Sequence, residues 1–413
     1  MNRPVSRPAA SIMPRNGPWT LWFAAIGLLL LAANLRSLFA SLSVLLPEII
    51  QGLGLSGAQA GYLTTLPVLC MGLFAPFAPR CAARIGMERS LWLVLLMIFV
   101  GTLLRAQLGI EGLFAGTALA GAGIALGNVL LPSLVKRDFS AHAALMTGLY
   151  TMSLCGGAAL ASAATLPLID YFGQGWRFGL SLWAIPAAIA LLAWIPLALR
   201  SAHGKSAGSH RLLPVRGLKR DPLAWAVTVF MGLQSALAYC VLGWMAPILR
   251  ARGLDGTEAG LITSVSILVQ VVACLLAPAL AARSRDQRLL AVALTALATL
   301  PLIGMVSGPI ELAWFLAILQ GLGQGGLFAL ALMLIVMRSS DSHVAAYLSS
   351  MSQTVGYVLA SSGPLFIGFL HDFTGNFDSV WILLTALGLL ATAAGWLAGS
   401  NRLVKAETLH PGR

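Results

Sequence analysis

Charge is what this chain has least of. Asp and Glu number 14 in 413 residues and Lys and Arg 26, so 10% of the sequence is charged, against about 25% in soluble domains. With 58% of residues hydrophobic, a single water-soluble core is excluded, and lipid is the natural solvent. Cysteine is scarce too. Cys70, Cys81, Cys155, Cys240 and Cys274 show neither CxxC nor metal-ligand spacing, so they read as packing residues rather than as a metal or redox centre. Carboxylates and imidazoles are missing from the middle of every apolar run, for all Asp and Glu fall in or beside loops and the His lie at run ends, in the polar connection or in the tail. That removes the midplane relay that proton-coupled carriers usually keep. With no nucleophile triad or metal cluster in sight, the chain is expected to be no enzyme and to need no cofactor.

What the chain has instead is twelve apolar stretches, each near the roughly 20 residues that cross a bilayer. They centre close to Leu31, Leu69, Met97, Gly123, Cys155, Ala187, Ala236, Leu268, Ala296, Gly323, Val355 and Gly388. If the N-terminus is cytoplasmic, 21 of the 26 basic residues fall on the cytoplasmic side, and only Arg105, Arg177, Arg250 and Arg252 fall in outer loops. This positive-inside bias predicts a multi-pass inner-membrane protein with both termini cytoplasmic. It also accounts for the net charge of +12 without nucleic acid. Arg3, Arg7 and Arg15 ahead of an apolar run imitate a signal peptide, but eleven further spans make that run a retained first helix.

One charge escapes the map. Arg36 has an apolar run before it and Leu38 to Leu46 after it. A charge at that depth costs about 2.5 kcal/mol or more unless it faces a cavity or a partner. The alternative is a first helix that ends near residue 35, with Arg36 reaching the outer headgroups. The length of the run beyond Arg36 argues against it.

The sequence is written twice. Gly54 to Gly61 (GLSGAQAG) returns as Gly253 to Gly260 (GLDGTEAG); Pro79, Ala82, Ala83, Arg84 and Arg89 return as Pro278, Ala281, Ala282, Arg283 and Arg288; Leu160-Ala161-Ser162 returns as Leu359-Ala360-Ser361. Every pair is offset by 199. The expected fold is all-α, with twelve transmembrane helices in two pseudo-symmetric six-helix bundles. The expected divisions are a cytoplasmic tail (1–18), a bundle (19–199), a basic linker (200–221), a second bundle (222–400) and a cytoplasmic tail (401–413). Such repeats place a substrate site near the midplane between the halves and work by rocking one against the other.

This architecture resembles that of the major facilitator superfamily. Between the second and third stretches, Arg84, Gly86 and Arg89 match the superfamily's Gly-x-x-x-Asp-Arg-x-Gly motif and its basic tail, while Pro79 and Ala83 replace the Gly and Asp. The resemblance implies a gating role for Arg84, Gly86 and Arg89, and for their counterparts Arg283 and Arg288. In detail the chain most resembles the cyanate and 2-nitroimidazole transporter branch. The residues that carry this are Arg36; Arg84 to Leu91; Gly123 to Pro132 leading into Lys136 to Phe139; Gln234 and Tyr239 ahead of Gly243-Trp244; Asp286 to Arg288; Ser352 to Tyr357; Gly363-Pro364; and His371-Asp372. The Arg84 and Gly123 blocks are nearer the nitroimidazole member. The resemblance implies a small-solute transporter.

With no buried carboxylate to take a cation, the guanidinium of Arg36 suits a small anion or the oxygens of a nitro group. Candidate companions are Asn34, Asn128, Gln234, Gln324, Gln353, Tyr239 and Tyr357, with Tyr150 and Trp244 as aromatic walls. Gln320 and Gln324, Gln353 and Tyr357, and Ser235 and Tyr239 each lie four apart, on one helix face. Each could equally hold helices together, and Gln270 is a further lone candidate. The glycine runs 121–127 and 321–326 read as close helix contacts. Expected partners are the solute and the bilayer, with a proton as possible co-solute, and the protein is expected to act as a monomer. A transporter-like sensor without flux, or a carrier of another small organic solute, is the alternative.

Overall fold

The computed structural model describes residues 18–139, 142–200, 215–284 and 286–408. The expected N-terminal tail apart from Pro18, residues 201–214 of the expected linker, Arg285 and the last five residues lie outside the described residues, and with them the basic residues Arg3, Arg7, Arg15, Lys205, Arg211 and Arg413.

Among the described residues, twelve helical spans are long and apolar enough to cross a membrane. The first half holds Trp22–Leu53, Gly57–Ile85, Met87–Gln107, Gly109–Asp138, Leu145–Phe172 and Trp176–Leu199. The second holds Pro222–Ala251, Gly256–Ala281, Arg288–Ser307, Ile310–Met337, His343–Thr374 and Val380–Ala398. Large apolar side chains such as Leu192, Leu289 and Leu389 stand exposed on the outside, as lipid-facing positions require. Inside, the seventh span is buried along nearly its whole length.

The repeated GLSG and GLDG segments have one structural cause. Gly54 and Gly253 adopt positive φ (63° and 99°), a conformation that costs glycine no Cβ clash. Two residues later Ser56 and Asp255 cap the second and eighth spans, accepting from the N–H of Gln59 and Thr257. Gly86, at φ 89°, makes the corner between the short helix Ala78–Ile85 and the third span.

The halves are clasped at the end opposite the termini. Arg250 on the seventh span pairs with Glu48 on the first at 2.7 Å. Asp372 on the eleventh span accepts from Gly57 N–H and from Ala58 N–H, the latter at 2.7 Å, at the start of the second span. At the end that carries the termini, polar contacts form within each half. Arg137 holds Glu88 and Asp138, and buried Arg338 donates to the carbonyls of Ala398 and Gly399. A two-residue ladder there joins Val215–Arg216 (β1) to Glu407–Thr408 (β2), and Asp221 accepts from Lys405 N–H while capping the seventh span.

Of the basic residues expected in outer loops, Arg177 and Arg250 lie at the ends of spans, and one departs further. Arg105, expected in an outer loop, lies within the third span, 1% exposed, and donates to the Leu38 carbonyl at 3.4 Å. The third span simply runs on to Gln107.

Candidate substrate site

Arg36 sits near the middle of the first span and opens onto a cleft between the halves. Counting its open mouth, the space in the cleft is about 330 Å³. The seventh span supplies Gln234, Ser235, Ala238, Tyr239 and Leu242; the eighth supplies Gln270, the tenth Gln324 and Phe328, and the eleventh Tyr357. None of these ten lining residues is an Asp or Glu. Among the described residues that line the cleft, Arg36 alone comes from the first half, and it faces side chains of the second.

That wall is aromatic and amide. The guanidinium carbon of Arg36 lies 5.9 Å from the Phe328 ring centroid, within cation–π range. Tyr239 packs on Phe39 at 5.4 Å and edge-on to Tyr357 at 6.4 Å, and its hydroxyl reaches the Met71 sulfur at 3.2 Å. Gln324 donates to the backbone carbonyl and the side-chain oxygen of Gln234 at 3.0 and 3.2 Å, and Gln234 donates onward to Ser235 at 2.8 Å. These bonds hold two amides rigid beside the charge.

The other sequence candidates lie elsewhere. Asn34 is buried and donates to its own helix at Leu30 and to Pro186 on the sixth span. Asn128 and Tyr150 are half-buried on the fourth and fifth spans and are not among the residues lining the cleft. Trp244 is fully buried, donating to the Pro364 carbonyl at 2.9 Å with its ring against Phe377. Gln353 bonds Ser349 one turn back on its own helix, and Gln320 accepts from Ser266. Phe328 was not singled out from sequence, yet it falls one turn beyond Gln324 on the same face, which is the signal that finds it.

The gating candidates cluster at the termini end. Arg84 is exposed on the short helix and Arg89 begins the third span. Arg283 is exposed at the end of the eighth span. Arg288 opens the ninth, stacked over Trp396 at 5.2 Å.

Twelve spans clasped over a small polar cleft define a membrane protein built to hold and pass a small solute. The chain belongs to the Major Facilitator Superfamily, whose sequence pattern matches residues 24–314 and again 234–411. It is 38% identical to an uncharacterized transporter, YycB, of Bacillus subtilis, over 95% of this chain and 97% of that one. It is also 38% identical to the 2-nitroimidazole transporter of Escherichia coli, over 92% and 96% of the two chains, and 32% identical to that organism's cyanate transport protein CynX, over 88% and 94%. The fold matches a bacterial homolog of the human lysosomal transporter Spinster with a TM-score of 0.72 at 14% identity, covering 93% of this chain and 97% of that one. The protein is therefore a multi-pass membrane transporter and not an enzyme, and the resemblance to the nitroimidazole and cyanate branch holds along nearly the whole sequence.

Proposed function

We propose that this protein is a secondary transporter of a small anionic or nitro-bearing solute, working by alternating access with Arg36 as the substrate-binding charge. The observation that carries the reading is a guanidinium at mid-span with no carboxylate among the described residues lining its cleft. The missing counter-charge is the substrate. A planar guanidinium donates two parallel hydrogen bonds to a carboxylate-like or nitro group, and the low dielectric around it strengthens them. Two relatives named for 2-nitroimidazole and cyanate transport support the solute class. The basic residues support an inner-membrane orientation with both termini cytoplasmic, so the clasped end is the outer one. The solute's own gradient drives transport, or a proton carried with the solute, since the cleft holds no carboxylate or imidazole. One chain contains the whole cleft, in keeping with a monomer.

Flux in proteoliposomes tests this. 2-Nitroimidazole and cyanate are the solutes to try first. Arg36→Ala should abolish uptake while the protein stays folded in the membrane, and Arg36→Lys, which keeps the charge but loses the fork, should transport poorly. Near-normal uptake by Arg36→Ala would sink the anchor role. An absence of flux for any solute would favour a sensor.

A further inference from the structure

Gln324 is 1% exposed, and its Oε1 has no hydrogen-bond partner among the described residues. Both partners of its Nε2, the carbonyl and the side-chain oxygen of Gln234, are acceptors, and this fixes which way the amide points. The neighbouring Gly325 lets the tenth span press onto the backbone of Gln270, because a Cβ there would run into it. Gln324 and Gln270 are thereby brought to the same cleft as Arg36 and Phe328. Donors at Arg36, an unused and buried acceptor on the lining residue Gln324, and the flat ring of Phe328 thus belong to residues bordering one cleft. A buried acceptor without a donor is costly, and a ligand that supplies the donor removes the cost.

We propose that Gln324 is a specificity-determining residue that reads a hydrogen-bond donor on the solute. The substrate class is a planar conjugated ring carrying an anionic or nitro group for Arg36 and an N–H or O–H for Gln324 Oε1, with its face toward Phe328. This rests on the reading of the cleft as the substrate site. It narrows that reading, since a bare triatomic anion such as cyanate offers no donor and no ring. Sites built to bond a donor reject analogues that lack it far more strongly than apolar pockets reject a missing methylene.

The test is paired uptake and thermal stabilisation with 2-nitroimidazole against 2-nitrothiazole, and imidazole-2-carboxylate against thiazole-2-carboxylate. Each pair keeps a five-membered ring and the acceptor group and differs in the N–H. The wild type should favour the N–H member of a pair by about tenfold or more. Gln324→Met should erase the preference by lowering the N–H member alone. Equal handling of both members by the wild type overturns the inference and leaves the Arg36 reading standing, and that comparison holds whether or not the variant folds. A folded Gln324→Met that keeps the preference also overturns it. If Arg36→Ala keeps uptake and preference together, the Arg36 anchor falls and the Gln324 role stands. If the wild type handles none of the four, both fall.

Discussion

Ser162 and Ser361 stand 199 positions apart and do the same job in the two halves: each presents its backbone carbonyl to the other half. Thr65 of the second span donates its hydroxyl to the Ser361 carbonyl at 3.2 Å. Gly260 of the eighth span lies directly against the Ser162 carbonyl. Gly61, the counterpart of Gly260, packs on Gly368 and the Leu365 carbonyl of the eleventh span. Two of the three repeated segments, those at Gly54–Gly61 and Leu160–Ser162 with their counterparts, therefore lie where the halves meet, and the glycines of the first set how closely.

Gly260→Ala should loosen this clasp. An added Cβ would collide with the Ser162 backbone, which cannot swing aside as a side chain can, and such overpacking costs about 1–3 kcal/mol. The cost applies only while the halves touch, so the population should move toward states open at that end. Thiol labelling of Leu242→Cys, a cleft position, by an impermeant reagent supplied opposite the termini should speed up. An unchanged labelling rate would show that the contact does not hold the gate.

Glu48 and Arg250 form the ionic part of the same clasp, with Arg250 also donating to the Val44 carbonyl at 3.2 Å. Their side chains are 32% and 24% exposed, so the pair is worth roughly 0.2–1 kcal/mol. Glu48→Gln should raise the same labelling rate by less than about sixfold, and a double-mutant cycle with Arg250→Gln should show coupling of that size. Additive effects would mean that the two side chains act independently.

Much of this was legible in the sequence because membrane folding leaves few options. The apolar runs had to be helices, and the constant offset of 199 exposed the two halves and the segments along which they touch. Arg36 stood out because no loop could take it. The cleft's partners were harder to see. Amides at four-residue spacing look alike whether they face a cavity, as Gln324 does, or a neighbouring helix, as Gln320 does with Ser266. Trp244 and Asn34 were chemically apt, yet the indole N–H of Trp244 is spent on the Pro364 carbonyl and the amide N–H groups of Asn34 on the carbonyls of Leu30 and Pro186. Helix rotation decides between these fates, and in a helix buried all round, as the seventh is, no polar face reports the rotation.

Asp341 ties the tail to the second half in a pH-dependent way. Its carboxylate accepts from the N–H groups of Val344 and His343 at 3.0 and 2.8 Å and from the Thr408 hydroxyl at 3.0 Å. The Val344 bond, foremost among these, holds its pKa below the ordinary carboxylate value. A depressed pKa means the stabilisation is complete above about pH 4 and fades as pH falls through the lower folded value. Tail proteolysis should therefore be slow and level from about pH 5 to 8 and quicken in stronger acid. Asp341→Ala should make it fast throughout, at a capping cost of about 0.5–2 kcal/mol. A tail equally resistant in the variant would remove Asp341 from the tie.

Arg105 is the sharpest test of how this protein tolerates buried charge. Its guanidinium makes one long bond to Leu38, two residues from Arg36, and its Nε and Nη2 have no partner among the described residues. The backbone of the fourth span closes over it at Gly116, where a Cβ would meet Arg105 itself. An unpaired buried cation costs several kcal/mol, and an apolar side chain of similar volume is commonly neutral or stabilising in its place. Arg105→Met should therefore melt in detergent at or above the wild-type temperature, whereas Arg105→Glu, which inverts a charge in the same tight space, should melt well below it. A clear drop for Arg105→Met would mean that the guanidinium has a counter-group that stabilises the fold. A higher melting temperature with slower uptake would show that the charge is kept for transport at the expense of stability, adding to the positive field around Arg36.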